Sequence, residues 1–204
     1  MLTGVILAGG RNRRMEGRIK ALLPFGDRPI LQRQLEEMAK LCPQILVVAN
    51  VPEALEHVVS AHQRAQVRII PDLFPGAGPL GGLHAALLEA EGEQVWTVGC
   101  DMPSISAEAA KWMVAVSGDN SRDAVIPVIH GKIHPLHAIY RKRIATVAES
   151  LLQQKKHSLM GLLEQIRWLQ ANEEDFSAQG IDPGFVTNLN TPEEYRRAAR
   201  LNLP

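Results

Sequence analysis

The sequence has few cysteines and aromatic residues, no excess charge of either sign, and no long apolar run. Only 4% of its 204 residues are aromatic, and 22 basic residues balance 22 acidic ones. Stacking platforms and a global positive field are both missing, so we expect no nucleic-acid partner. No run approaches the ~18 apolar residues of a membrane span, and the first residues lack the features of a signal peptide. We therefore expect a cytoplasmic protein with no membrane contact.

Cysteine spacing and chain length narrow the class of protein further. Cys42 and Cys100 lie far apart without a C-x-x-C pair, which argues against a disulfide framework, a zinc knuckle and a thioredoxin-type site. We expect both to be buried thiols. A length of 204 residues suits one domain with one large core, which we place at residues 1–204.

A basic loop follows the first apolar run. Residues 3–7 predict a buried strand that ends near Ala8, and Gly9 and Gly10 then leave backbone N–H groups open to an anion. Five basic residues follow within ten positions: Arg11, Arg13, Arg14, Arg18 and Lys20. Open α/β sheets bind ligands at the carboxyl ends of their strands, so a phosphate site is favoured over a solvated loop. No Gly-Lys-Ser/Thr is present here, so the loop is not a P-loop.

Polar residues also end two later predicted strands. Asn50 follows the apolar run at 45–49, where an asparagine most often serves the turn. Asp101 ends the run of small and apolar residues that begins at Gln94 and is stopped by Pro103, at the same edge of the predicted sheet. Ser106 is better placed than Asp101 to cap the next helix. We therefore favour Asp101 as a hard-cation ligand, since Mg²⁺ in phosphate sites is held by one or two carboxylates.

A literal G-x-G-x-x-G occurs at residues 76–81, and Asp101 lies twenty positions further on. This spacing matches a dinucleotide-binding fingerprint. The glycines, however, begin six residues after Ile70, and Pro79 removes a backbone donor. A glycine-rich rim that leads into a helix at 80–90, aimed at the same crevice, explains the composition equally well.

Three histidines, His130, His134 and His137, resemble a metal cluster. On an extended segment His134 and His137 would point to opposite faces, and no cysteine or carboxylate lies nearby to complete a tetrahedral zinc site. We expect one of the three to make a hydrogen bond or to contact a phosphate, and the sequence does not select which.

Predicted helices alternate with predicted strands along most of the chain. The helices are expected at 29–41, 80–90, 107–116, 141–154 and 159–165, and another begins at Pro192 with Thr191 as its cap. A last short strand at 185–190 would carry Asn188 and Asn190 on one face. Residues 168–184 show no clear pattern. This alternation predicts a three-layer α/β/α sandwich around a Rossmann-like, mainly parallel sheet.

Several motifs together resemble the molybdenum cofactor guanylyltransferases, a branch of the nucleotidyltransferases with the nucleotide-diphospho-sugar transferase type of sheet. These motifs span almost the whole chain in order: Leu7-Ala8-Gly9-Gly10, Arg13-Arg14-Met15, Lys20, Gly78-Pro79-Leu80-Gly81-Gly82, Cys100-Asp101-Met102-Pro103, His134-Pro135-Leu136 and Asn188-Leu189-Asn190-Thr191-Pro192.

The resemblance implies that GMP is transferred from GTP to the terminal phosphate of molybdopterin, which gives the dinucleotide cofactor and releases pyrophosphate. It implies nucleotide contacts at these residues: Leu7, Ala8, Gly9, Lys20, Asn50, Asp72 and Asp101. The resemblance also implies that Asp101 binds Mg²⁺. As a hypothesis for the mechanism, Asn188 or Asn190 would complete the metal site, and Lys20 and Arg14 would neutralise the leaving pyrophosphate. A transient contact with molybdoenzymes or their chaperones would follow.

The chain departs from the family's pattern at Glu16-Gly17, where the family has two glycines, and at Ile19, where it has an acid. Glu16 would then place an extra negative charge beside the triphosphate, which could change the nucleotide that the site selects. Three alternatives remain open: a relative that uses CTP or a sugar phosphate, a nicotinamide-dependent oxidoreductase built on residues 76–81, and a pterin chaperone without turnover.

Overall fold

A computed structural model describes residues 1–9, 19–118 and 121–201, without the side chains of residues 199–201. Its strands are β1 (Leu2–Leu7), β2 (Pro24–Phe25), β3 (Arg28–Pro29), β4 (Gln44–Val48), β5 (Gln66–Ile70), β6 (Gln94–Gly99), β7 (Ala124–Ile129), β8 (Lys132–Ile133), β9 (Ala138–Arg141) and β10 (Trp168–Asn172). Its helices are α1 (Ile30–Met38), α2 (Glu56–Ser60), α3 (Pro79–Glu89), α4 (Ala107–Val116), α5 (Ala145–Gln153), α6 (Leu159–Leu163), α7 (Glu173–Ala178) and α8 (Pro192–Leu201).

The eight-stranded sheet has the order β10-β7-β9-β6-β1-β4-β5, and β8 pairs with β7. The pairs that join β6, β1, β4 and β5 are parallel, as is the β10–β7 pair. Only β9, between β6 and β7, and the short β8 run antiparallel to their neighbours. The sheet is therefore mainly parallel, as the alternation of elements predicts. β2 and β3 form a separate antiparallel pair.

Alternate side chains of the central strands enter two separate cores. In β1, Ile6 belongs to the core formed with α1, α2, α4 and α7, whereas Val5 belongs to the core formed with α3, α5 and α6. All five residues of β4 are buried, as expected for a parallel strand covered on both faces. Helices thus cover both faces of the sheet, and the predicted three-layer α/β/α sandwich is confirmed.

The chain changes direction across the sheet beside β1. It first builds β4 and β5 on one side of β1 and then returns to place β6 on the other side. In open α/β sheets, a crevice forms at the carboxyl ends of the strands at such a switch point. The ends of β1 and β6 are Leu7 and Gly99, so the segments that follow them border this crevice.

The structure departs from the sequence prediction most clearly in the second half of the chain. The helix predicted at 141–154 begins only at Ala145, because Arg141 is the last residue of the strand β9. Residues 168–184 contain β10 and α7, for which the sequence gives no assignment. The strand predicted at 185–190 is wrong: Pro183–Val186 form a 3-10 turn whose Phe185 packs on Phe176 instead of joining a ladder.

Within the described parts of the chain, no helix combines the length and the apolar character needed to cross a membrane.

Candidate active site

A cavity of about 360 Å³ opens at the carboxyl edge of the sheet. Its lining combines the ends of β1, β4 and β6, the start of α3 and the 3-10 turn Lys20–Leu22. The residues that line it are Leu7, Gly9, Lys20, Val48, Asp72, Gly76, Gly78, Pro79, Gly82, Gly99, Cys100, Asp101 and Leu136. Five of the residues predicted for the site therefore face one space.

Asn50 contacts the loop that follows β1 and begins at Gly9, which we call the glycine loop. Its Nδ2 donates to the carbonyl oxygen of Gly9 at 3.0 Å. A Cβ added at Gly9 would lie 3.3 Å from the same nitrogen, so a larger residue would crowd the contact. Just before, the Ala8 N–H donates to the Val48 carbonyl at 2.8 Å and is used within the sheet. Asn50 thus does more than shape its own turn, because it fixes the start of the glycine loop.

Lys20 bridges two groups that are distant in the sequence. Its Nζ lies 3.5 Å from Asp101 Oδ2 and 3.3 Å from Asn190 Oδ1. The side chains of Lys20 and Asp101 are about one fifth exposed, at 18% and 21%. The Leu189 N–H donates to the Asp101 carbonyl at 2.8 Å, which holds the segment before α8 against this turn. An ammonium, a carboxylate and an amide oxygen thus meet at the mouth of the cavity.

The start of α8 keeps Asn190 in place. Thr191 Oγ1 accepts from the Glu194 N–H at 3.1 Å, which confirms Thr191 as the cap. Glu194 Oε2 accepts in return from the backbone N–H groups of Asn190 and Thr191, at 2.7 and 3.1 Å. This reciprocal capping satisfies donors that the helix leaves unpaired and orders the residue that contacts Lys20.

The opposite wall of the cavity is the glycine-rich loop before α3. Gly76 and Gly78 have φ values of 86° and 69°, which L-residues with side chains rarely adopt. A Cβ at Gly82 would lie 3.1 Å from Leu7 Cδ2, so the glycine allows α3 to approach β1 closely. Eight residues separate β5 from α3. This loop is longer than a dinucleotide-binding turn and forms the rim that the sequence predicts as the alternative to that fingerprint.

Asp72 lies in that loop and faces the cavity. Its Oδ1 accepts from the Phe74 N–H at 2.9 Å, and burial raises the pKa of its carboxyl above the usual value. A Cβ at Gly81 would come within 2.8 Å of Asp72 Oδ1, so the glycine leaves room for this carboxylate. The hydrogen bond and the close packing give Asp72 a fixed position beside the helix start.

The two cysteines differ in their surroundings. Cys42 is buried, whereas Cys100 is partly exposed and lines the cavity, so the prediction of two buried thiols is correct only for Cys42. Burial of the sulfur raises the pKa of each thiol to about 12. Cys100 is therefore protonated near neutral pH and does not act as a nucleophile.

One histidine of the predicted trio has a structural hydrogen bond. His137 is fully buried, and its Nε2 accepts from the Ser106 N–H at 3.0 Å. Burial lowers the pKa of His137 to about 3, so the ring is neutral. His130 instead contacts Glu173 at 2.9 Å. His137 therefore has a hydrogen-bonding role inside the core, where it holds the residue that caps α4.

The remaining predicted residues are Gly10, Arg14 and Asn188. Gly10 and Arg14 lie outside the described residues. Asn188 lines a different cleft, together with His130 and His134. Among residues 1–9, 19–118 and 121–201, no three His, Cys, Asp or Glu side chains form a group that could hold a metal. Leu136, known from the sequence only as part of a motif, completes the cavity wall.

Comparison with known families agrees with this geometry. Residues 4–171 match the family described as the MobA-like NTP transferase domain. The chain belongs to this family. It is therefore a nucleotidyltransferase, and the resemblance seen in the sequence motifs is confirmed.

Relatives with similar sequences cover nearly the whole chain. The chain is 32% identical over 200 residues to a protein from Carboxydothermus hydrogenoformans named probable molybdenum cofactor guanylyltransferase, covering 98% of this chain and 96% of the relative. It is 34% identical over 197 residues to a protein of the same name from Pelotomaculum thermopropionicum, covering 96% and 91%.

A solved structure supports the same fold. The crystal structure of molybdopterin-guanine dinucleotide biosynthesis protein A from Archaeoglobus fulgidus has a TM-score of 0.82 and 25% sequence identity, covering 98% of this chain and 97% of its own. This similarity confirms the nucleotide-diphospho-sugar transferase type of α/β fold.

Proposed function

We propose that this protein transfers GMP from GTP to the terminal phosphate of molybdopterin, forming molybdopterin guanine dinucleotide and releasing pyrophosphate. The names of its relatives support the choice of donor and acceptor. The observation that carries the proposal is the meeting of Lys20, Asp101 and Asn190 at the mouth of a cavity whose opposite wall is glycine-rich. Charged groups would thus face an entering triphosphate, and the glycine-rich wall would let the backbone approach it closely.

The nucleotide would lie along the ends of the parallel strands. The backbone of Leu7, Ala8, Gly9 and Gly10 would contact it, with Asn50 steadying the loop through the Gly9 carbonyl. Guanine carries an exocyclic amino group that donates hydrogen bonds, and the carboxylate of Asp72 can accept them.

Asp101 and Asn190 suit a hard cation. Their side-chain oxygens already lie around one cation, the Lys20 ammonium, at 3.5 and 3.3 Å. Mg²⁺ in phosphate sites is typically held by one or two protein carboxylates together with substrate oxygens. We assign Asp101 as its ligand, with Asn190 as the second protein ligand. A Mg²⁺ there would supply positive charge to the phosphate oxygens.

In the transfer, an ionised oxygen of the acceptor's phosphate would attack the α-phosphorus of GTP. A new P–O bond forms there, while the bond from the α-phosphorus to the bridging oxygen breaks and its electron pair leaves with pyrophosphate. Lys20 and Arg14 would neutralise the charge on that leaving group. An ionised nucleophile needs no general base, so catalysis depends on positioning and charge. We propose that the product passes to molybdoenzymes or their chaperones through a transient contact.

Thermal shifts with GTP, CTP, ATP, UTP and NADH, with and without Mg²⁺, test the choice of ligand. A ligand at a hundredfold excess over its Kd stabilises the folded state by ~2.7 kcal/mol, which raises the Tm by about 5–10 °C for a chain of this size. Among these combinations, we expect this shift only with GTP in the presence of Mg²⁺. A shift with CTP alone would move the function to a cytidylyltransferase and focus attention on Glu16 and Ile19.

Turnover tests the reaction itself. The wild-type protein with GTP, Mg²⁺ and molybdopterin should release pyrophosphate and form the dinucleotide, and Asp101→Asn should remain folded but lose most of this activity. GTP that stays intact through a long incubation with the acceptor would point instead to a pterin-binding protein without turnover.

A further inference from the structure

Gln34 is a buried polar residue on the core face of α1. Its side chain has 0% exposure, and it stands among Leu31, Leu35 and Met38, which are equally buried. Its Nε2 donates two hydrogen bonds of 2.8 Å, to the carbonyl oxygens of Gly99 and Met102. A polar residue on an apolar helical stripe is therefore used to bind a specific piece of backbone.

The two carbonyls lie on either side of Asp101. Gly99 ends β6, and the Met102 N–H donates back to the Gly99 carbonyl at 3.2 Å, which closes a tight turn over Cys100 and Asp101. One amide group thus holds both ends of the turn that carries the carboxylate. Three residues after Gln34 on α1, Glu37 Oε1 accepts from the Ala107 N–H at 2.8 Å, so α1 also holds the start of the following helix.

The same helix supports Lys20. The Ile30 N–H, at the start of α1, donates to the Leu23 carbonyl at 3.0 Å, directly after the 3-10 turn Lys20–Leu22. Ala21 in this turn is fully buried in the core that α1 helps to form. Contacts with α1 therefore support both the turn that carries Asp101 and the turn that carries Lys20, the two charged groups that face each other at the cavity.

This arrangement costs free energy at the oxygen of the Gln34 amide. Gln34 Oε1 is buried and has no hydrogen-bond partner in the described structure. A buried acceptor without a partner costs free energy. An apolar residue would serve core packing better. We therefore attribute the glutamine at this position to the two hydrogen bonds that its Nε2 donates.

We propose that Gln34 is a positioning residue for nucleotidyl transfer, which fixes the Asp101 turn so that its carboxylate faces Lys20 and the phosphates of the nucleotide. This inference rests on the proposed function, because it assigns Gln34 a role in the same site. Gln34 touches no substrate and acts through Asp101. Replacing a residue that orients a metal ligand in this way typically lowers metal affinity or activity 10–100-fold.

Gln34→Met tests the inference, since methionine has a similar length but no N–H donor. Its matched control is Gln44→Met: Gln44 is also a buried glutamine, with 1% exposure, and its Oε1 accepts from Thr3 Oγ1 and the Glu91 N–H at 2.9 and 3.0 Å. Gln44 begins β4, at the opposite edge of the sheet from the cavity. Both variants remove a buried amide, but only one of these amides holds the Asp101 turn.

Two readouts separate positioning from a loss of stability. The first is the split between kcat and KM for pyrophosphate release, normalised to folded protein. The second is Mn²⁺ affinity, followed by electron paramagnetic resonance with whichever nucleoside triphosphate stabilises the wild-type protein most. For Gln34→Met we expect kcat and Mn²⁺ affinity to fall about 10–100-fold while KM for the triphosphate stays near wild type. For Gln44→Met we expect a lower Tm with both readouts near wild type.

The outcomes distinguish this inference from the proposed function. Equal effects of the two variants on kcat and Mn²⁺ affinity would overturn the positioning role, whatever the substrate is. A wild-type protein that does not use GTP and molybdopterin would refute the proposed function. A selective loss of Mn²⁺ affinity in Gln34→Met, measured without acceptor, would still support the positioning role.

Discussion

Replacing Lys20 by methionine should have opposite effects on catalysis and on metal binding. In the structure the Lys20 ammonium lies against Asp101 and Asn190, the two side chains that we assign to the cation. A divalent ion that binds Asp101 must either displace this ammonium or share the carboxylate with it. Lys20→Met removes that competitor, but it also removes a charge that would stabilise the leaving pyrophosphate.

The size of the effect follows from Coulomb's law. Unit charges about 4 Å apart attract by about 1 kcal/mol in bulk water and about 4 kcal/mol at the effective dielectric constant of a protein surface. With about one fifth of each side chain exposed, the Lys20–Asp101 pair falls between these limits. Removing the competitor should therefore tighten Mn²⁺ binding in the absence of nucleotide by at least roughly fivefold. Turnover should fall about 10²–10³-fold, the usual cost of losing an electrostatic stabiliser.

Mn²⁺ titration followed by electron paramagnetic resonance measures the first effect, and pyrophosphate release measures the second. Arg68→Met is the control, because it removes one positive charge from an exposed ion pair with Glu89, 2.9 Å away. This pair joins β5 to the last residue of α3. If Lys20→Met binds free Mn²⁺ no more tightly than Arg68→Met does, Lys20 does not compete with the ion and our assignment of the cation site is refuted.

Three further predictions follow from single contacts. Asn50→Ala removes the bond to the glycine loop, so GTP should bind about tenfold more weakly by calorimetry, and unchanged affinity would contradict a role in holding that loop. Gly82→Val adds a Cβ that would lie 3.1 Å from Leu7 Cδ2, so urea unfolding should show a loss of about 1–3 kcal/mol, and a wild-type midpoint would contradict the close approach. His137 has a folded pKa of about 3 against an ordinary value of 6.5, so its contribution to stability is complete above pH 6.5 and is lost as the pH falls towards 3. Below about pH 6.5, one such group lowers the free energy of unfolding, measured with urea, by up to about 1.4 kcal/mol for each unit by which the pH falls; His137→Gln should reduce this slope, and an unchanged slope would contradict a buried neutral ring.

The strands at the centre of the sheet could be predicted from the sequence because their pattern is local. β1, β4 and β6 are short, almost fully buried apolar runs, and each lies within a residue or two of its predicted position. A run buried on both faces needs no knowledge of its neighbours to be recognised. The predicted site residues Gly9, Asn50 and Asp101 come directly after these strands, so the location of the site followed as well, whereas Asp72 was indicated only by the family resemblance.

Elements at one end of the sheet depended on packing that the sequence pattern does not express. β9 has four residues and runs directly into a turn and helix, so its periodicity is too short to separate from that of the helix. β10 alternates poorly because only part of it is buried. Phe185 and Val186 look like a strand, yet they are buried in a 3-10 turn, where contacts with aromatic rings replace the hydrogen bonds of a ladder.

The sequence by itself determined the fold class, the family and the edge of the sheet at which chemistry occurs, since these depend on residue types and on spacing within single segments. The tertiary structure alone decided which distant side chains meet. Lys20 reaches Asn190 across 170 positions, and Gln34 holds a turn more than sixty positions away. Contacts of this kind come from the packing of α1 and α8 around the cavity, because pairs so far apart leave no periodic trace in the chain.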